Sequence, residues 1–224
     1  MKKYINKIIP VVFTLLAFTA CESTDTEDIS RITYFNDIEL VGAENYIVEQ
    51  GASYSEPGAI AFEAETEVTD NVVISGNVDT STPGLYTVKY NIENKDGFEK
   101  SITRNVFVLP ADRSKSDDYA GTYTGEVSTG THTDVTVITH LGDGLYYCTD
   151  FIGGRYNIGF DYGPLYKLDG YFYVNGDGLS HNALIINSVW GPWDMHNPSL
   201  SGTTFSHGVS SDGGTIRDVI LIKQ

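Results

Sequence analysis

Asp79-Thr80-Ser81-Thr82-Pro83-Gly84-Leu85-Tyr86-Thr87-Val88-Lys89-Tyr90-Asn91-Ile92 decides the fold class. Pro83-Gly84 makes a tight turn, and from Leu85 onward the side chains alternate with period two, as in a strand with one buried face. Tyr86 and Tyr90 lie four apart and share a sheet face. Outward from this run, Asn94-Lys95-Asp96-Gly97 reads as a turn, and Ser101 to Leu109 alternates again through Ile102, Val106 and Val108. On the N-terminal side, Ile32 to Phe35, Ile38 to Val41, Tyr46 to Val48, Ala59 to Phe62 and Val72 to Ile74 are further short strand candidates. Short strands with turn signals every eight to twelve residues or about that predict a β-sandwich over residues 31–110. No stretch here reads as a helix.

Two motifs in this region carry a resemblance. Gly51-Ala52-Ser53-Tyr54-Ser55-Glu56-Pro57-Gly58-Ala59 resembles the G-x-x-Y-x-x-P-G-A signature of the bacterial surface Ig-like domain. Asp79 to Tyr90 resembles the D-T-x-x-P-G-x-Y-x-V-x-Y signature of the same family. The resemblance implies an Ig-like sandwich that serves as a spacer.

Residues 111–118 form a polar linker, and the composition then changes. Nine of the 15 tyrosines, both tryptophans and all five histidines lie beyond residue 118. Strand candidates are Tyr119 to Val127, Asp134 to Thr139, Gly144 to Thr149, Tyr156 to Phe160, Leu165 to Leu168, Tyr171 to Asn175, Ala183 to Val189, Ser201 to Ser206 and Thr215 to Ile222. Glycine-rich turns separate them, including Gly153-Gly154, Asp169-Gly170 and Asn175-Gly176-Asp177-Gly178. The expectation for residues 119–224 is an all-β meander closing as an antiparallel barrel or as a second sandwich. Tyr119-Ala120-Gly121-Thr122-Tyr123-Thr124-Gly125 resembles the opening strand of lipocalin-like barrels.

The N-terminus addresses the chain. Lys2, Lys3 and Lys7 precede an apolar run from Ile8 to Ala17, shorter than the roughly 20 residues of a spanning helix. Phe18-Thr19-Ala20-Cys21 resembles a lipobox. This implies a signal peptide over residues 1–20 and lipidation of Cys21. Residues 21–30 form an acidic tether of at most about 35 Å that resembles the export signal of Bacteroidetes surface lipoproteins. The whole chain carries 30 acidic against 14 basic residues, a net charge of −16, and the leader removes three of the lysines. That sign disfavours nucleic acid and leaves the lipid anchor as the one expected contact with membrane. With Cys21 acylated, Cys148 has no partner and reads as a buried structural thiol.

The order of lipobox, Ig-like domain and Tyr/Gly-rich β domain resembles two-domain Bacteroidetes surface lipoproteins that accompany Sus-type nutrient uptake systems. The implied location is the outer membrane, facing the exterior. The implied partner is a SusC/SusD-like transporter pair. In Trp190-Gly191-Pro192-Trp193 the Gly-Pro bend places two indoles around one turn, and aromatic faces bind sugar rings or peptide side chains. Trp190, Trp193, Tyr162 and Tyr166 are the candidate ligand-binding residues, with Tyr146, Tyr147, Tyr156, Tyr171 and Tyr173 extending the platform. The bland alternative is core and rim packing. His132, His140, His181, His196 and His207 show no metal-ligand spacing, and Asn175, Asp177 and His181 read as a hairpin turn. No nucleophile motif appears, and Asp143, Asp169, Asp177 and Asp212 sit beside glycine in turns. The expectation is a non-catalytic binding protein for a glycan or peptide oligomer, without a cofactor or metal. The alternatives are a structural component of the transporter complex and a glycoside hydrolase, which needs two placed carboxylates.

Overall fold

The computed structural model describes residues 32–116, 118–127, 130–176 and 181–224, without the side chains of residues 130–133 and 181. The expected signal peptide, Cys21, the tether 21–30, Asp177 and Gly178, and the side chains of His132 and His181 lie outside the described residues.

The first domain is a sandwich of two sheets. One contains β1 (Asn36–Leu40), β3 (Ala59–Glu63) and β4 (Thr66–Glu67), in the order β1-β3-β4. The other contains β2 (Asn45–Glu49), β5 (Val73–Ser75), β6 (Gly84–Glu93) and β7 (Glu99–Leu109), in the order β2-β7-β6-β5. The alternating run that opens the sequence is β6, and its inward residues Val88, Tyr90 and Ile92 join Ile38, Val48, Ala61 and Val106 in the core. Ile32 to Phe35 is not a strand. The first sheet begins at Asn36, and Phe35 instead lies exposed against the Phe98 ring. The family signature has a physical reason here. Arg104, fully buried, pairs with Glu56 at 2.8 Å and donates to the carbonyls of Val41, Ala43 and Gly58. The hydroxyls of Tyr54 and Tyr90 donate to the same Glu56 carboxylate.

The second domain is a closed barrel of eight strands. They are β8 (Gly121–Val127), β9 (Gly130–Gly142), β10 (Leu145–Cys148), β11 (Gly170–Val174), β12 (His181–Ile186), β13 (Trp193–Ser201), β14 (Thr204–Ser211) and β15 (Arg217–Lys223). Each strand pairs antiparallel with its sequence neighbour, and β15 returns to β8. Closure removes every sheet edge, so the open choice between barrel and sandwich resolves as a meander barrel. Three expected strands fall differently. Tyr156 to Phe160 forms a π-helical turn (Arg155–Gly159), and Leu165 to Leu168 falls on a 3-10 turn (Pro164–Tyr166). Ser201 to Ser206 straddles a hairpin at Gly202, whose φ of 59° turns β13 into β14.

Aromatic side chains fill the barrel. Tyr119 meets Tyr146, Phe172 and Phe205 edge-on, and Phe172 stacks on Tyr146 and Phe205. The barrel packs against the first domain through Phe107 and Leu109 of β7 with Leu145, Tyr173, Tyr171 and Leu184. Arg113 in the segment between the domains is buried and donates to the carbonyls of Asp143 and Pro110, and Ser114 N–H donates to Val174. These contacts fix the linker at the barrel end that carries the β9–β10 turn.

Candidate functional site

The opposite barrel end is closed by the loop from Cys148 to Gly170, and that loop builds the site. Its first part turns into the barrel. Phe151 and Ile152 are fully buried, Phe151 lies edge-on to Phe172 and His207, and its carbonyl meets His207 Nε2 at 2.7 Å. Gly153 passes so close to β8 that a Cβ on Gly125 would lie 2.3 Å from Gly153 Cα. The last glycine of the Tyr119–Gly125 motif is thus an opening for this plug.

Asp150 holds the plug. Its fully buried carboxylate accepts from the N–H groups of Ile152 (3.1 Å), Gly154 (2.8 Å) and Leu168 (3.1 Å), gathering both ends of the loop on one side chain. Burial pushes its carboxyl above the ordinary range, against the pull of those three donors. A second anchor is Asp134 on β9, which accepts from Asn157 at 2.6 Å and pairs with Lys167 at 2.9 Å. Burial there works upward, but Asn157 and Lys167 outweigh it and hold the carboxyl low.

Beyond the plug the chain turns outward and presents rings. Gly154 (φ 87°) and Asp161 (φ 58°) adopt left-handed backbone, and Tyr162 N–H donates to the Tyr156 carbonyl at 3.0 Å. Across the mouth, Ser188 Oγ accepts from Trp190 N–H at 3.0 Å and donates to the Gly191 carbonyl at 2.9 Å, fixing the Gly-Pro bend. All four candidate binding residues meet here. Tyr156 is the hub, 4.8 Å from the Trp190 ring, 6.1 Å from Trp193 and 6.3 Å from Tyr162. Tyr166 bridges Tyr162 (5.2 Å) and Trp190 (5.3 Å). The two indoles differ in exposure. Trp190 is 49% exposed, whereas Trp193 is 6% exposed because it opens β13 with its side chain toward the barrel core.

The extending tyrosines divide. Tyr156 joins the mouth, Tyr146 lies inside the barrel, and Tyr171 and Tyr173 pack toward the first domain. Tyr147 packs on Tyr171. Three contributors are not among the sequence candidates: Phe160 beside Tyr162, Arg155 over the Phe160 ring, and Arg217 over the Trp193 ring. The spacing Phe160-x-Tyr162 after Gly153-Gly154 was the available signal. Exposed Ile158, Leu165 and Val189 flank these rings in sequence. Among the described residues, no group of three or more His, Cys, Asp or Glu side chains is placed to hold a metal. Cys148 is fully buried and unpaired, and burial pushes its thiol well up.

A family model described as "Bacterial surface protein, Ig-like domain" matches residues 38–108, and a second, for a C-terminal domain, matches residues 112–223. No protein of curated function matches the chain. Among solved structures, the lipoprotein BT2262 from Bacteroides thetaiotaomicron is 32% identical, with 85% of this chain and 100% of that one covered and a TM-score of 0.45. A Clostridium perfringens structure, CBM51-2 in complex with GlcNAc and INT domains from ZmpB, is 16% identical over 50% of this chain and 29% of that one. Its TM-score is 0.30. With the barrel domain matched from end to end and the full length of a 32% identical lipoprotein covered, the chain belongs to the family of two-domain Bacteroides surface lipoproteins that join a bacterial surface Ig-like domain to a C-terminal β-barrel.

Proposed function

We propose that the protein is a lipid-anchored binding protein on the outer face of the outer membrane, an accessory of a Sus-type uptake system that captures a glycan or peptide oligomer without breaking bonds. The aromatic mouth carries this reading. Its rings stand on loops already fixed by hydrogen bonds, those to Asp150 buried, so little ordering is left for binding to impose. They stand at the barrel end away from the linker, where the Ig-like spacer and the tether hold them outward. Because aromatic side chains fill the barrel, the ligand lies across the mouth. Asp150 is buried and Asp134 is paired with Lys167, an arrangement that favours capture over hydrolysis. Tethering beside a SusC/SusD-like pair raises effective concentration, so weak affinity suffices.

A second reading is supported by the exposed apolar residues around the rings, above all Leu165 at 80% exposure. In that reading the mouth docks on the transporter complex and has no ligand of its own. Both tryptophans of the chain belong to the mouth, so intrinsic fluorescence reports on it alone. A panel of polysaccharides and a peptide digest should include one class that shifts the emission. Silence toward both, with capture of the transporter pair, would replace ligand capture by docking.

A further inference from the structure

Basic residues are scarce in the barrel and unevenly placed. Beyond residue 118 the chain has ten acidic and four basic residues. Three of the four bases, Arg155, Lys167 and Arg217, stand at the mouth. Only Lys223 lies at the linker end, where its Nζ donates to the Asp118 carbonyl at 3.0 Å. Lys167 is engaged by Asp134. The two arginines are held over rings instead. Arg155, on the π-helical turn, lies 5.0 Å from the Phe160 centroid and 6.0 Å from that of Tyr156. Arg217 opens β15 on the same face as buried Val219 and Leu221, so its side chain starts toward the barrel axis and comes to lie 5.4 Å from the Trp193 centroid.

Tyr156 joins the two, 5.8 Å from Phe160 and 6.1 Å from Trp193, so both guanidinium groups border one aromatic run. A ring face attracts the charge of a guanidinium without using up its five N–H donors. A cation placed this way is oriented before a ligand arrives and still binds an anion, bidentately where the anion is a carboxylate. Arg217 is fixed further by Nη1, which donates to the Thr215 carbonyl at 3.0 Å, and among the described residues it forms no ion pair. Exposed Asp161 and Asp212 also stand on the mouth loops. The selection is therefore local: an anion is favoured where it comes within hydrogen-bond range of a guanidinium, and not by the field of the mouth as a whole.

We infer that Arg155 and Arg217 make the mouth a site for an acidic oligosaccharide, with carboxylates on the two guanidinium groups and sugar rings across Tyr156 and Trp190. This ligand class rests on the capture reading above. An acidic peptide would offer the same carboxylates. Closure of the barrel leaves no strand edge for a peptide backbone to pair with, whereas a sugar ring needs only an aromatic face for its C–H groups.

The test uses the full chain and three carboxylated polysaccharides, polygalacturonate, alginate and hyaluronan, each beside its methyl ester and read by tryptophan emission. One acidic polymer should shift the emission, and its ester, which keeps the sugar backbone and loses the charge, should bind at least about tenfold more weakly. Arg155→Gln and Arg217→Gln should each weaken binding of the acidic polymer by about three- to tenfold, with the unfolding midpoint in place. Arg217→Lys, which keeps the charge and loses the planar fork, should recover part of the loss. A polymer and its ester bound alike, or acidic-polymer binding that survives both arginine substitutions, would overturn the assignment and leave capture at the mouth standing. A response to polyglutamate with every polysaccharide silent would overturn it in favour of an acidic peptide. Silence toward every probe, neutral polysaccharides included, would remove it together with the capture reading.

Discussion

Asp150→Ala should undo the site from beneath. The substitution leaves three buried N–H groups, those of Ile152, Gly154 and Leu168, without their acceptor. At about 1–3 kcal/mol for each orphaned buried donor, the gross cost is about 3–9 kcal/mol. Two effects reduce it: the variant no longer buries a carboxylate, and an opened loop admits water to the freed donors. The expected net loss is about 2–4 kcal/mol, a large share of the stability of a domain this size. Urea unfolding followed by tryptophan emission reads the barrel alone, since both indoles lie in it, and the midpoint should fall with the slope unchanged. Asp150→Asn keeps one oxygen, which still accepts from Ile152 and Leu168, and loses only the Gly154 bond, so it should cost about 1–2 kcal/mol. The two variants also differ from the parent in pH dependence. Because the folded pKa is raised, the folded barrel holds its proton more tightly than the unfolded chain. This group's contribution therefore declines as pH climbs from the unfolded value of about 3.9 through the raised folded value. Asp150→Asn lacks that decline. An alanine variant within about 0.5 kcal/mol of the parent, or an asparagine variant worse than alanine, would refute the anchoring role.

Other parts of the structure give further expected outcomes. Gly125→Ala forces a Cβ against the Gly153 backbone and should cost about 1–3 kcal/mol while raising Trp190 exposure, checked by urea titration and acrylamide quenching. In the Ig-like domain, burial acts to raise the Glu56 carboxyl, but hydrogen bonds from Tyr54, Tyr90 and Gly58 and the charge of Arg104 hold it low. Its contribution is therefore present above the unfolded value of about 4.3 and lost as pH falls through the folded one. Glu56→Gln should remove that acid sensitivity and cost about 3 kcal/mol by stranding Arg104, read by circular dichroism between acid and neutral pH. Cys148 should resist a thiol reagent in the folded protein and react once urea exposes it, because burial holds the thiol protonated.

The Ig-like domain was legible because its strands bury one face, and period-two runs such as Leu85 to Ile92 record that burial directly. The barrel was legible in class and less so in detail. β13 is missing from the sequence candidates because Asn197, with φ 44°, and Pro198 break the alternation between His196 and Ser199. Tyr156 to Phe160 and Leu165 to Leu168 carry the residues of strands, yet the long-range capture of loop N–H groups by Asp150 overrides that preference. A single aspartate followed by Phe-Ile-Gly-Gly gives no local sign of such a role. The convergence of Trp190, Trp193, Tyr162 and Tyr166 was foreseeable as aromatic richness. The hub position of Tyr156 depends on the plug and was not.

The most direct test of the aromatic mouth is retention of the double variant Trp190→Ala, Tyr162→Ala on whichever immobilised ligand retains the parent chain. Both side chains are about half exposed, at 49% and 53%, so their loss should leave the unfolding midpoint in place. At about 0.5–1.5 kcal/mol for each ring, retention should fall by about fivefold or more. Full retention by a folded double variant would contradict the claim that these rings hold the ligand.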